Sequence, residues 1–135
     1  KTGPLDNPAD RDHCLQYMVA VPLIFGRLDA KDYDDEVAAD PRIDTLRAKM
    51  IVRENPQFTR DYFAADMRAI PNAVHIHFRD GSKSERIEVF YPIGHRRRRI
   101  EGIPLLRDKF RKNTIEYFLK KESKNILDFL GMTFA

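Results

Sequence analysis

His13, Gln16 and Tyr17 stand at positions i, i+3 and i+4 of a stretch that reads as helix, with Arg11 and Asp12 just before them. One helical face would then carry an imidazole, an amide and a phenol together, a set able to bind oxygen-rich groups or to move a proton. The alternative is a polar set that satisfies itself and nearby backbone at a domain contact. A second cluster is Gly94-His95-Arg96-Arg97-Arg98-Arg99, flanked by Pro92 and Gly102. Clustered guanidinium groups suit two-pronged binding of phosphate or carboxylate, which makes His95, Arg96, Arg97 and Arg98 candidate anion-binding residues. A solvated run, or one paired with acids across an interface, has the same composition. Nucleic acid is a poor fit, because one short basic loop without interleaved aromatics gives a small footprint. Glu101 and the acids crowded between Asp29 and Asp44 would also repel a polyanion. His75 and His77 share a strand face with no third ligand at diagnostic spacing, so no metal is expected. Cys14 follows His13, but adjacent helical residues diverge by about 100°, and Cys14 reads as a small core residue. No glycine-rich phosphate loop, nucleophile elbow or dinucleotide fingerprint is present.

The elements that must hold these groups are announced by their ends. Asn7-Pro8 is a helix start, since the Asn side chain accepts from an orphan amide and proline at the first position forfeits no bond. The spacing predicts one helix continuing to Phe25, apolar on nearly every face from His13 onward, bent at Pro22 and stopped by a left-handed Gly26. A short acidic helix is expected around Lys31 to Ala38. Asp40-Pro41 repeats the start signal for a helix with Ile43, Leu46 and Met50 on one face. Ile51 to Glu54 reads as an edge strand, and Asn55 to Asn72 as an irregular connection. Ala73 to Arg79 and Arg86 to Tyr91 alternate around Asp80-Gly81-Ser82, the pattern of a hairpin with Val74, Ile76 and Phe78 on a buried face. Pro104 is expected to open an amphipathic helix after a loop from Pro92 to Gly102, and a last helix to run from Ser123 to Leu130.

The chain has 135 residues, 42% hydrophobic and 33% charged, with a formal charge of +3. That composition fits one folded domain of modest core and excludes a disordered tail. A single cysteine precludes an internal disulfide and fits a reducing compartment. The longest apolar run, Met18 to Phe25, is far short of the roughly 20 residues a membrane span needs, so a soluble protein without membrane contact is expected. The first residue is Lys1 and no targeting pattern precedes the first helix, so the chain is expected to be a piece of a longer polypeptide.

Several segments carry a resemblance. Residues 3–28 (GPLDNPADRDHCLQYMVAVPLIFGRL), 39–44 (ADPRID), 56–62 (PQFTRDY), 91–106 (YPIGHRRRRIEGIPLL) and Lys109-Phe110 are similar, in order, to the dehydratase branch of the MmgE/PrpD family. The resemblance implies an α+β fold: a lid-type domain with a small antiparallel sheet flanked by helices, plus carboxy-terminal helices that pack on an absent all-helical domain. Residues 1–103 would belong to the lid and 104–135 would return to the helical domain. The implied reaction is loss of water from 2-methylcitrate to give 2-methyl-cis-aconitate, in the methylcitrate cycle of propionate breakdown, with no iron–sulfur cluster or other cofactor. The implied partners are the tricarboxylate substrate, the amino-terminal part of the same enzyme and a second copy in a homodimer, in bacterial cytoplasm or a fungal mitochondrial matrix. The family's aspartate, histidine and lysine groups for proton transfer lie upstream, so this piece alone is expected to be inactive. What carries over is His-x-x-Gln-Tyr: His13, Gln16 and Tyr17 as substrate-binding residues, with the Tyr17 hydroxyl a donor to a substrate carboxylate or a catalytic group. Two other readings stay open: a noncatalytic module that holds an acidic partner on Arg96 to Arg99, and a relative acting on citrate or cis-aconitate.

Overall fold

Three pairs of an Asx residue and a proline punctuate the first half of the chain, and each starts a helix. In the computed structural model, which describes residues 3–114 together with Phe118, Glu122, Asn125, Ile126, Asp128 and Phe129, α1 spans Pro8–Asp12, α4 spans Pro41–Arg47 and α5 spans Pro56–Phe63. The side chains of Asn7, Asp40 and Asn55 accept from the backbone N–H of Asp10, Arg42 and Gln57 at 2.9, 2.9 and 3.0 Å. Each satisfies an amide that the helix cannot. The fold is α+β: helices with one two-stranded antiparallel sheet. The chain divides into two compact units, Lys1–Arg53 and Glu54–Ala135.

In the first unit α2 spans Leu15–Phe25, closed by Gly26 at φ 70. Only glycine adopts that left-handed cap without strain. A 3₁₀ turn at Ala30–Tyr33 and α3 at Asp35–Ala38 follow, where one acidic helix was expected. The core is Cys14, Tyr17, Ala20, Val21 and Ile43, overlaid by Leu5, Phe25, Tyr33, Leu46 and Met50. Ile43, Leu46 and Met50 all join this core, where the expected face of a helix put them, but α4 ends at Arg47, so Met50 packs from beyond the helix, and α4 lies against α2.

The helix expected from Asn7 to Phe25 is two helices. His13 caps α1, and Cys14 is extended at φ −110 and ψ 104. The cause is local competition: the His13 ring sits 3.0 Å from the Ala9 carbonyl, the acceptor that the next helical amide would have used, and the Cys14 amide turns back to the Arg11 carbonyl.

The second unit departs further. Asn55 to Asn72 contains α5 rather than an irregular connection, and Ile51 to Glu54 forms no strand. The hairpin pairs β1 (Asn72–Val74) with β2 (Ile87–Val89), Ala73 facing Glu88. Beyond it an isolated bridge joins His77 to Lys83. Two residues then face three, and the extra one makes a bulge. There the Ser84 hydroxyl accepts from the Ile76 amide at 3.0 Å, in place of a ladder carbonyl. The expected buried face does not form among the described residues: Val74, Phe78, Ile87 and Val89 are exposed and Ile76 is only half-buried. The last described helix, α6, spans Arg99–Thr114, led in by a 3₁₀ turn at Arg96–Arg98. It begins five residues before Pro104, which sits inside it. Capping of the turn by His95 starts the winding earlier than proline would. Ser123, Leu130 and Gly131, which bound the last expected helix and its stop, lie outside the described residues.

Candidate functional site

The break between α1 and α2 divides the first candidate trio. Gln16 and Tyr17 lie in α2, 5% and 2% exposed, whereas His13 projects from the break with 84% of its side chain accessible. The single face expected to carry all three does not form. The Tyr17 hydroxyl donates to the Asp32 carbonyl at 2.6 Å, and its ring stacks on Tyr33 at 6.0 Å. Its proton is therefore committed within the unit. At His13, Nδ1 faces two acceptors, the Ala9 carbonyl and the Asp12 carboxylate. Nδ1 must carry the hydrogen, which makes Nε2 the basic nitrogen of the neutral ring.

Around Tyr17 lies a buried polar frame that the pattern of the sequence did not single out. Arg11, 5% exposed, donates to the Tyr33 carbonyl at 2.6 Å and the Leu5 carbonyl at 3.3 Å, and pairs with Asp35 at 2.7 Å. Asp32, 1% exposed, accepts from the Asp29 amide at 2.7 Å and from Arg27 at 3.0 Å. Its spacing from Asp29 is that of a capping box, a legible signal. Arg47 bonds Asp44 and the Gly3 carbonyl, tying the entry of the chain to α4.

Burial pushes the Tyr17 hydroxyl above its ordinary value; Asp32 and Tyr33 add to that push while Arg11 and Arg47 oppose it. Tyr33 is raised in the same way, by burial first and then by Asp12 and Asp32. The folded chain thus holds protons that the unfolded chain releases near pH 10. The stability these two rings give is complete below about pH 10 and is lost as pH climbs toward their raised values. Alkaline unfolding followed by circular dichroism should therefore shift to higher pH in Tyr33→Phe. An unchanged midpoint would remove Tyr33 from the cause.

In the second unit the arginine run is sorted by its partners. Arg98 donates to Glu101 at 2.6 Å and to the Tyr91 carbonyl at 2.9 Å. That pair holds Glu101 below, and Arg98 above, their usual ranges through side-chain hydrogen bonding. Arg98 is thus neutralised. Arg96 and Arg97 instead donate to the Asp66 main-chain carbonyl at 3.0 and 2.8 Å, and Arg97 lies over the Tyr91 ring at 5.3 Å. His95 stacks on Tyr91 at 4.5 Å. Its Nδ1 accepts from the Arg97 amide at 3.2 Å, and its Nε2 lies 3.1 Å from the Arg68 carbonyl. Both bonds form together only in the Nε2–H tautomer. Arg68, absent from the sequence-based candidates, has φ 46, a left-handed backbone rare for a side chain of its size. Nothing in its neighbours marks it in the sequence. His75 and His77 lie 4.7 Å apart, and no group of three potential ligands surrounds a metal position among the described residues.

Residues 1–130 match the family model described as MmgE/PrpD C-terminal domain. The chain is 58% identical over 128 residues to a 2-methylcitrate dehydratase of Salmonella typhi, covering 95% of this chain and 26% of that protein. It is 56% identical over 128 residues to a 2-methylcitrate dehydratase of Escherichia coli (strain K12), with the same coverage. A protein of Yarrowia lipolytica named 2-methylcitrate dehydratase, mitochondrial, is 54% identical over 127 residues, covering 94% of this chain and 24% of its own length. The chain spans about a quarter of the length of the curated relatives it matches.

Proposed function

The chain belongs to the MmgE/PrpD C-terminal domain family, and from that premise we propose that the whole polypeptide is a hydro-lyase converting 2-methylcitrate to 2-methyl-cis-aconitate. The observation that carries the reading is the 58% identity to a dehydratase over 95% of the chain. In this reading residues 1–103 belong to a lid and 104–135 return to a helical domain formed upstream, and two copies pair. The reaction serves propionate breakdown, in bacterial cytoplasm or a mitochondrial matrix, where Cys14 stays a thiol.

Elimination of water takes a proton from the carbon beside a carboxylate, forms the double bond, and protonates the departing hydroxyl so that it leaves as water. Cations and hydrogen-bond donors must hold the carboxylates while this happens. The chain offers His13 at the helix break, its ring held at Nδ1 by Asp12 and the Ala9 carbonyl, as a group for binding a substrate carboxylate. Gln16 and Tyr17, buried in α2, are hydrogen-bonding groups of the same unit. Tyr17 reaches a substrate carboxylate only by exchanging its bond to the Asp32 carbonyl.

The test is dehydration of 2-methylcitrate by the full-length protein, followed as absorbance of the conjugated product. His13→Gln should raise KM by about tenfold, the scale of one lost hydrogen bond to a charged group, and Tyr17→Phe should lower kcat by at least about tenfold. If Tyr17→Phe keeps full turnover while loosening only the first unit in hydrogen exchange, its hydroxyl is structural. A wild-type protein inert toward 2-methylcitrate overturns the substrate.

A further inference from the structure

Asp80-Gly81 is the one place in the sequence where glycine follows an aspartate or an asparagine. It lies in the turn of the hairpin, and Asp80, Gly81 and Ser82 are all exposed. Gly81 has φ 85, and nothing stands within 4 Å of where its side chain would be. Glycine takes that backbone without strain and leaves its amide nitrogen open to approach. The amide donates to the Phe78 carbonyl at 3.2 Å, the long end of the range for such a bond. Asp80 Oδ1 accepts from the Ser82 amide at 2.9 Å and from the Ser82 hydroxyl at 2.6 Å. The first of these bonds closes an Asx turn, which folds the Asp80 carboxyl over the Gly81 peptide. The two ends of a five-membered ring, carboxyl carbon and amide nitrogen, are thus kept together.

We infer that Asp80-Gly81 is a site of spontaneous isoaspartate formation in the folded protein, with Ser82 as its brake. The Gly81 nitrogen attacks the Asp80 carboxyl carbon, the carboxyl OH leaves with the amide proton as water, and a succinimide ring closes. Water then opens the ring at either carbonyl. Opening at the α-carbonyl leaves the main chain running through the Asp80 side chain, one carbon longer, with a free α-carboxylate. One water is lost and one regained, so the composition is unchanged and no other reactant takes part. The first step needs the neutral acid, because a carboxylate has no hydroxyl to lose. Both Ser82 donors favour the ionised form and hold the Asp80 carboxyl below its ordinary value, the side-chain bond first and the backbone bond second. The extra carbon falls inside a loop closed by two contacts: the Phe78 amide donates to the Ser82 carbonyl at 2.9 Å, and His77 bridges to Lys83. This end of the hairpin therefore loses its register once the ring has opened.

Ageing of the full-length protein at neutral pH in heavy-oxygen water, read by peptide mass mapping and by enzymatic methylation of isoaspartate, tests the site directly. The peptide holding Asp80 and Gly81 should gain heavy oxygen and isoaspartate at least tenfold faster than any other aspartate-containing peptide. Asp80→Glu, whose ring would need a sixth atom, should slow the gain at least tenfold. Ser82→Ala should speed it at least threefold, whereas Ser82→Thr, which keeps the hydroxyl, should stay within twofold of wild type. Labelling at Asp80 no faster than elsewhere overturns the site. A folded-state rate more than a hundredfold below that of the guanidinium-unfolded chain would mean that the turn shields the bond, and overturns it as well. Ser82→Ala at the wild-type rate overturns the brake. No readout here involves turnover of 2-methylcitrate, so the outcome is independent of the dehydratase reading.

Discussion

Arg11→Ala should loosen the first unit by about 3 kcal/mol, read as a rise of roughly two orders of magnitude in amide exchange across α2 and the 3₁₀ turn of the full-length protein. The guanidinium is buried and joins three parts of the chain: the Leu5 carbonyl before α1, the Tyr33 carbonyl at the end of the turn, and Asp35 at the head of α3. Truncation leaves two carbonyls without their donor, at about 1–3 kcal/mol each if they stay dry, and opens a cavity where the stem lay. Relaxation that admits water offsets part of that sum. The Asp35 contact contributes little, because that carboxylate is 85% exposed. Arg11→Met separates the two causes. It keeps the stem and loses the donors, so its effect should fall between alanine and wild type. Arg11 Nε is buried with no hydrogen-bond partner, a desolvation cost that methionine removes, which places the expected methionine value nearer wild type than alanine. Exchange in Arg11→Ala within threefold of wild type would sink the assignment of Arg11 as the fastener of this unit.

The parts of the fold legible in the sequence were those announced by local chemistry. Asn7-Pro8, Asp40-Pro41 and Gly26 each do what their backbone preferences require, because a cap depends on two or three neighbouring residues. Asn55-Pro56 carries the same signal and starts α5; the mixed polarity after it hid a helix of only eight residues. Alternation marked the hairpin but gave neither its bulge at Ser84 nor its exposure, since burial is a property of what covers a face. The candidate sites were legible by residue type and not by state. Helical spacing alone places His13 beside Gln16 and Tyr17, yet a side-chain bond to the Ala9 carbonyl ends the helix between them. Four consecutive arginines look alike in sequence; Glu101 and the Asp66 carbonyl sort three of them, Arg98 as neutralised and Arg96 and Arg97 as held by a neutral oxygen. Arg68 joins them through a backbone turn that no periodicity encodes.

Gly102→Ala should disrupt the arginine turn itself, and Gly94→Ala should not. A methyl built on Gly102 would stand 2.2 Å from the Ile93 carbonyl oxygen and 3.3 Å from its carbon. The obstacle is main chain, which cannot swing aside as a side-chain tip does. Either Ile93 or the first turn of α6 must move, at about 1–3 kcal/mol for an overpacked contact. Ile93 lies in the turn closed by the His95 amide and the Pro92 carbonyl at 2.8 Å, and Arg98 reaches across to the Tyr91 carbonyl. Displacement at Ile93 therefore carries Tyr91, His95 and Arg96 with it. Gly94, two residues from Arg96, meets nothing within 4 Å and has no left-handed backbone, so alanine there adds a methyl to open space. Amide exchange over residues 91–102 should rise at least tenfold in Gly102→Ala and stay within twofold in Gly94→Ala. Equal behaviour of the two variants would mean that the close approach of Ile93 to α6 does not hold this turn.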